Sequence, residues 1–325
     1  MAAIFDDAIR ELKKAGKILV VSHVSPEGDA VGSLLGAALA LRGAGKDVTA
    51  YLEDPVPDLF LFLPGADTVT RDLGGKGPFD ATLAVDCGQK ERLGKGFCAL
   101  PEHGVLINID HHATNDRFGD INVIVPDASA AGELVYDLCV AAGFTITRDM
   151  AVNLYVAIHT DTGSFRYSSS TPGAFEKAGR LVALGADPWE ISRRVYENAP
   201  ARKYKLLAMV LGTLEVIEVN ERGAIAALAV TLDMFKKAGA DKDYADGFVN
   251  YARGIEGVAV GVLFREAGEG LYKVSLRAKG GIDVSEISEA FGGGGHRNAA
   301  GFTMPGAFAE VRAKVLAAIK EKMAA

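Results

Sequence analysis

Cysteine is scarce in this chain, and its scarcity limits the kinds of protein the chain can be. The 325 residues include three cysteines, Cys87, Cys98 and Cys139, and no two of them have the CxxC spacing. An odd, widely spaced set argues against a disulfide framework and against a thiolate metal site. We therefore expect a protein of the reducing cytoplasm.

Long apolar runs and an excess of basic residues are also missing. The longest apolar stretch, Leu34 to Leu41, is far shorter than the roughly 20 residues that cross a bilayer. The N-terminal residues predict an amphipathic helix with Ile4, Ala8 and Leu12 on one face, so we expect neither export nor a membrane span. The formal net charge of −7 disfavours binding along long duplex nucleic acid, but a locally cationic site would still accept a short anionic substrate.

The first half of the chain alternates short apolar runs with helical patterns. The runs are KILVVSH, DVTAYLED, ATLAVDCG, VLINIDHH and INVIVP. Runs of this kind predict an α/β fold in which a parallel sheet has helices on both faces. Helical patterns dominate from Ala128, and strands return after about Thr213, which predicts a smaller α+β domain. We place the first domain at 1–186, a helical linker at 187–212 and the second domain at 213–325.

Side chains that can bind metal follow three of the predicted strands. His23 ends the first run, Asp86 comes directly after Leu83-Ala84-Val85 in the third, and Asp110-His111-His112 end the fourth. Because open parallel sheets bind ligands beyond the carboxyl ends of their strands, we expect these side chains to converge. Asp161, in HTDTGSFRY, is a further candidate at the end of a long helical pattern.

The candidate residues supply imidazole nitrogens and carboxylate oxygens, a set that favours Mn²⁺ or Mg²⁺ over a structural Zn²⁺ site. Their number favours two ions, and two ions roughly 3.5–4 Å apart suit hydrolysis of a phosphoester. In SHVSPEGDAVGS, Pro26 and Gly28 would turn His23, Glu27 and Asp29 inward. The helix that follows would direct its positive end at a bound anion.

Five stretches of the chain resemble, in order and spacing, the motifs of the DHH phosphoesterase superfamily and its DHHA1 substrate domain. They are SHVSPEGDAVGS, AVDCG, NIDHHATNDRFGDIN, HTDTGSFRY and AFGGGGHRNAAGF. The two-domain layout is most similar to the NrnA-type nanoRNases, which degrade very short RNA oligonucleotides and often dephosphorylate 3′-phosphoadenosine-5′-phosphate (pAp). The resemblance implies a hydrolase with exonuclease activity, with the DHH domain at 1–186 and the DHHA1 domain at 213–325.

The resemblance also implies two Mn²⁺ ions per chain, with Mg²⁺ as the alternative. One ion would be held by His23, Glu27 and Asp86, and the other by Asp29, Asp86, His111 and Asp161. Asp86 would bridge the ions, His112 would face the scissile phosphate, and Asp110 would orient its neighbours. The family usually has Asp where this chain has Glu27, which leaves the occupancy of the first site open.

The C-terminal motif would bind one end of the substrate. Gly293, Gly294 and Gly295 can bring backbone N–H groups close to a phosphate, with His296 and Arg297 beside it. Alternatively, the glycines only make a tight connection between a helix and a buried strand. Arg277 and Arg166 would contact a second phosphate or a base, or else they are ordinary surface residues.

Two other kinds of function stay open from the sequence. One is a cyclic-dinucleotide or linear-dinucleotide phosphodiesterase of the same superfamily, with a pyrophosphatase as a more distant rival. The other is a nucleotide-sensing binding protein without turnover, in which Glu27 would mark a lost metal site. Exposed edge strands and apolar helices would also suit a homodimer.

Overall fold

The computed structural model describes residues 2–324 of the chain, which divides into two compact units, Met1–Asn198 and Ala199–Ala325. Each unit is built on one six-stranded sheet. Within the described residues, every helix is too short or too polar to span a bilayer. The predicted linker, 187–212, contributes one helix to each unit, and the predicted domain limits stay predictions.

The first unit contains a sheet in which every pair of neighbouring strands is parallel. In chain order the strands are β1 (Lys17–Val21), β2 (Asp47–Tyr51), β3 (Val69–Thr70), β4 (Ala81–Val85), β5 (Val105–Asp110) and β6 (Ile121–Ile124). Their order across the sheet is β3-β2-β1-β4-β5-β6. Strand addition reverses direction between β1 and β4, and ligands bind at such a reversal in open parallel sheets.

Helices cover the two faces of this sheet unequally. They are α1 (Asp6–Lys14), α2 (Gly28–Gly43), α3 (Lys95–Cys98), α4 (Ala131–Ala142), α5 (Arg148–Asp161), α6 (Pro172–Ala183) and α7 (Pro188–Tyr196). The larger core packs one face against α1, α2, α4, α5 and α6. The smaller core, on the other face, is closed by α3 and by connecting segments that contribute Leu73, Phe79 and Leu93. The predicted α/β class with helices on both faces is confirmed, although on the second face the described residues form only this short α-helix and a 3-10 turn at Lys90–Leu93.

Small residues allow α2 and α5 to pack very closely. A Cβ atom at Gly32 would collide with the backbone carbonyl oxygen of Asn153, and one at Gly28 would collide with the side chain of Thr160. The first turn of α2 therefore lies against the last turn of α5. Asp29 is in that first turn and Asp161 ends α5, so this packing brings the two carboxylates to the same edge of the sheet.

The N-terminal helix differs in part from the prediction. Ala8 and Leu12 are buried as expected, but Ile4 is 47% exposed. The reason is that α1 begins only at Asp6, and the residues before it form a 3-10 turn. That turn changes the helical spacing, and Phe5 takes the buried position instead.

The second unit is the smaller α+β domain that the sequence predicted. Its strands are β7 (Glu215–Asn220), β8 (Gly223–Val230), β9 (Val258–Gly268), β10 (Leu271–Ala278), β11 (Gly294–His296) and β12 (Ala299–Pro305). They are ordered β11-β12-β10-β9-β8-β7, with β8 and β9 parallel and the other neighbours antiparallel. The helices are α8 (Ala201–Leu211), α9 (Leu232–Ala238), α10 (Val249–Arg253), α11 (Val284–Ala290) and α12 (Phe308–Ala324). One core packs against α11 and α12, and the other against α8, α9 and α10.

Candidate metal centre

The turn after β1 directs an imidazole and a carboxylate toward the end of β4. The Nδ1 atom of His23 lies 2.8 Å from the carbonyl oxygen of Val24, which orients the ring. Its Nε2 atom lies 3.3 Å from Oε2 of Glu27 and 3.5 Å from Oδ2 of Asp86. The other carboxylate oxygen of Glu27 accepts a hydrogen bond from the backbone N–H of Ala30 and so caps α2. Glu27 thus caps a helix and faces His23 at the same time.

Asp86 lies directly after β4 and has an unusual backbone conformation. Its φ is +54°, in the left-handed region that costs free energy for a residue with a side chain. The side chain is buried, with Oδ2 near His23 and Oδ1 only 3.5 Å from Nε2 of His111. Oδ1 makes no hydrogen bond. The two oxygens of one carboxylate therefore face two different imidazoles.

A second group of side chains surrounds His111, which follows β5. Its Nε2 atom lies 3.6 Å from Oδ2 of Asp29 and 3.6 Å from Oδ2 of Asp161. Its Nδ1 atom lies 3.1 Å from the carbonyl oxygen of Ala128. The predicted convergence of strand-end residues with Asp29 and Asp161 is what the structure shows.

The separations between these atoms fit the ligand set of divalent cations. Distances of 3.3–3.6 Å are long for hydrogen bonds between nitrogen and oxygen. They approach the spacing of neighbouring ligand atoms that each lie roughly 2.0–2.3 Å from one ion. The buried Oδ1 of Asp86, without a hydrogen bond, is the polar atom that a cation would satisfy. The residues present therefore fit the metal that the sequence predicted.

The charges of this cluster depend strongly on one another. Burial lowers the pKa of His23, but the charge of Glu27 and contacts with Asp86 outweigh it and raise the pKa to about 10. Burial likewise lowers the pKa of His111, whereas Asp86, Asp161 and Asp29 raise it well above its usual range. Burial, opposed by His111 and assisted by Asp86, raises the pKa of Asp161 to about 6. The raised pKa values of His23 and His111 favour protonated imidazoles, whose charge would offset that of the carboxylates when no cation is bound.

His112 is held by its neighbour Asp110, which the sequence predicted to have an orienting role. The Nδ1 atom of His112 lies 2.7 Å from Oδ1 of Asp110, and the side-chain amide of Asn115 donates to the other oxygen at 2.6 Å. Burial lowers the pKa of His112, but the hydrogen bond to Asp110 outweighs it, and the pKa is raised. Asn115 was not predicted, because an Asn in a polar loop has no distinguishing sequence signal.

Arg92, a positively charged side chain beside the cluster, was also not identified from the sequence. The Nη2 atom of Arg92 lies 3.1 Å from Nδ1 of His23. Arg166, which was predicted, is exposed in the loop after α5, where its Nε donates to the carbonyl oxygen of Gly163. That loop includes Ser164 and Phe165 in the left-handed region.

In the second unit, the predicted substrate-binding residues lie at one edge of the sheet. Arg277 on β10 and His296 on β11 both pair with Ala299 of β12, so they share one face of the sheet, about 10 Å apart at the backbone. His296 and Arg297 are exposed, and Nη1 of Arg277 donates to the carbonyl oxygen of Leu276. Arg277 is partly buried.

The glycines of this motif differ in what they require. A Cβ atom at Gly293 would collide with the carbonyl oxygen of Gly301, and one at Gly295 would collide with that of Ala299. Gly294 has open space around it. The tight-connection reading therefore accounts for Gly293 and Gly295, and Gly294 retains space for a ligand.

Family models match both units of the chain. Residues 17–158 match the DHH family, N-terminal domain, and residues 222–325 match the DHHA1 domain. The chain belongs to the DHH family, with a DHHA1 domain in its second half. This confirms the resemblance that the five motifs indicated.

Named relatives extend over nearly the whole chain. It is 34% identical over 318 residues to the bifunctional oligoribonuclease and PAP phosphatase NrnA of Thermus thermophilus, covering 97% of this chain and 93% of that one. It is 26% identical to the protein of the same description from Bacillus subtilis, covering 91% of each. Among solved structures, an exopolyphosphatase-related protein from Bacteroides fragilis is 29% identical with a TM-score of 0.89, covering 99% of this chain and 96% of that one.

Proposed function

We propose that this protein is a metal-dependent phosphoesterase that hydrolyses short oligoribonucleotides from one end and also dephosphorylates pAp. The observation that carries the proposal is the convergence of two imidazoles and four carboxylates at one edge of a parallel sheet, with atoms 3.3–3.6 Å apart. The names of the relatives, oligoribonuclease and PAP phosphatase, support this substrate class.

Two Mn²⁺ ions, with Mg²⁺ as the alternative, would occupy the cluster. One ion would be held by His23, Glu27 and Asp86, and the other by Asp29, Asp86, His111 and Asp161. The potential ligand atoms of His23, Glu27 and Asp86 lie close together, as do those of Asp29, His111 and Asp161. The two differently directed oxygens of Asp86 suit a bridging ligand. When bound, such ions act as Lewis acids on phosphoryl oxygens and lower the pKa of water.

His112 would contact the scissile phosphate through Nε2, because Asp110 engages Nδ1. The raised pKa favours an imidazolium, which can donate a hydrogen bond or a proton to a phosphate oxygen. Asp110 would keep the ring in position, and Asn115 would keep Asp110 in position. Arg92 would add positive charge where the anionic substrate binds.

Arg277, Arg297 and His296 of the second unit would bind one end of the substrate, together with the backbone of the glycine motif, and Arg166 would contact a further phosphate. The net charge of −7 gives no support for binding long polymers. A cytoplasmic location and a homodimer stay predictions.

Turnover by purified protein with Mn²⁺ on a substrate panel tests the proposal. The panel is di- to pentaribonucleotides, pAp, cyclic di-AMP, a linear dinucleotide and pyrophosphate. We expect hydrolysis of the short RNAs and pAp, and its loss in His111→Ala. His103→Gln is a matched control, since this histidine of the same unit stacks on Phe97 instead.

Other results of the panel would favour the rival functions. Preference for cyclic di-AMP or a linear dinucleotide would favour the dinucleotide phosphodiesterase, and preference for pyrophosphate would favour the pyrophosphatase. Tight nucleotide binding without turnover would favour the sensor, particularly if metal analysis finds fewer than two ions per chain. Full activity of His111→Ala would exclude the proposed site.

A further inference from the structure

The start of α4 contacts two of the proposed metal ligands, His111 and Asp29. The carbonyl oxygen of Ala128 lies 3.1 Å from Nδ1 of His111. The backbone N–H groups of Ala131 and Gly132 donate to the two oxygens of Asp29, at 2.7 and 3.0 Å. Any shift of the segment 128–132 therefore moves an imidazole and a carboxylate together.

This arrangement makes Asp29 the cap of a helix to which it does not belong. Ala130, at the N-cap position of α4, provides no side-chain cap. Asp29 from α2 instead accepts from buried N–H groups of the first turn, which have no partner within α4. The positive end of the α4 dipole favours the ionised carboxylate. Asp29 consequently takes its position from α4 as well as from its own helix.

Glu133 ties this segment to α6. One oxygen of its buried carboxylate accepts from the backbone N–H of Ser129 at 2.8 Å, and the other lies 2.9 Å from Nζ of Lys177. The hydroxyl of Ser129 donates to the carbonyl oxygen of Ser169, in the loop that follows Asp161. The pair is nearly buried, with side-chain exposures of 3% for Glu133 and 14% for Lys177.

We propose that Glu133, held by Lys177, is a positioning residue for the metal set around Asp29, His111 and Asp161. Through Ser129 it fixes the segment 128–132, and that segment fixes the ligand atoms. The inference rests on the metal assignment in the proposed function. If the buried ion pair served only stability, its removal would weaken the whole unit. If it positions ligands, its removal weakens one metal set and leaves the other unchanged.

Mn²⁺ titration of two background variants separates the two metal sets without any substrate. His23→Ala isolates the set around His111, and His111→Ala isolates the set around His23. Both backgrounds also carry Asp137→Asn, because Oδ2 of Asp137 lies 3.1 Å from Nζ of Lys177 and would otherwise lose its cation. Into each we introduce Glu133→Leu with Lys177→Met, which removes both charges of the pair together. We expect the dissociation constant of the His111 set to rise about 10- to 100-fold, and that of the His23 set to change less than about twofold.

Two further variants complete the test. Glu133→Gln keeps an oxygen for the Ser129 N–H, so it should weaken the His111 set less than the double variant does, and it serves if the double variant does not fold. Glu176→Gln, one residue before Lys177 in an exposed pair with Arg180, is the matched control and should bind like the parent.

The outcomes distinguish this inference from the proposed function. An unchanged dissociation constant at the His111 set, or an equal loss at both sets together with a lower melting temperature, would overturn the positioning role alone. If the parent binds no Mn²⁺, or if His23→Ala and His111→Ala each retain two ions, the metal assignment itself is wrong.

Discussion

Cation binding should release protons from the metal centre, most clearly from His23. Two carboxylate oxygens lie 3.3 and 3.5 Å from its Nε2 atom, and their attraction outweighs burial to raise the pKa to about 10. A cation that binds Nε2 has to displace the proton held there. The apparent affinity of this site should therefore increase as the pH rises.

The size of the effect follows from the pKa of His23. The pKa of about 10 lies about three units above pH 7, so removing the proton at pH 7 costs about 4 kcal/mol, at 1.36 kcal/mol per unit. Glu27 is 54% exposed, so water screens part of its charge, and we expect about 3 kcal/mol instead. At pH 7 the site should therefore bind a cation roughly 100-fold more weakly than it would with a neutral imidazole. Above pH 7 the affinity should rise about tenfold per pH unit.

Isothermal titration calorimetry measures the released protons directly. Cation-free His111→Ala protein is titrated with Mn²⁺ at about pH 7.5 in buffers of different ionisation enthalpy, and the dependence of the observed heat should give about one proton per ion. Glu27→Gln removes the carboxylate that contributes most to the raised pKa of His23, so it should reduce this number. If no protons are released and the affinity for Mn²⁺ does not change between about pH 7 and 8.5, His23 does not hold a proton that the cation must displace.

Three further predictions concern stability and hydrolysis. Without cations, the free energy of unfolding should fall as the pH rises from about 6.5 to about 10, because His23 binds its proton more tightly in the folded protein than in the unfolded chain. Urea denaturation in EDTA across this pH range measures this free energy. A rise with pH would contradict the prediction. Asp86→Asn should lower hydrolysis of a diribonucleotide by about 100-fold or more, because a bridging ligand is lost. The melting temperature should change little, since Asn tolerates the left-handed backbone. Turnover near the parent value would count against the bridging role. Gly32→Ala should destabilise the first unit by about 1–3 kcal/mol, because the new Cβ atom collides with the carbonyl oxygen of Asn153. Gly43→Ala, at the end of the same helix with open space around it, is the control and should not destabilise the unit. Equal melting temperatures for the two variants would show that α2 and α5 can separate at little cost in free energy.

Local sequence patterns determined the fold class and most of the candidate site. The apolar runs before His23, Asp86 and Asp110 are buried strands, since a strand covered on both faces needs side chains that lose water on either side. Parallel strands align their carboxyl ends, so residues far apart in the chain could be expected at one edge before any coordinates. The family membership likewise followed from the five motifs.

The tertiary structure decided how these residues are held. Asp29 and Asp161 meet because Gly28 and Gly32 let two helices approach, and no spacing within either helix reveals that approach. The roles proposed for Arg92 and Glu133 likewise depend on contacts with segments 69 and 44 residues away. Hydrophobic periodicity reports which residues are buried along one element, whereas the partner of a buried charge depends on how separate elements pack, and packing is set by all of them together.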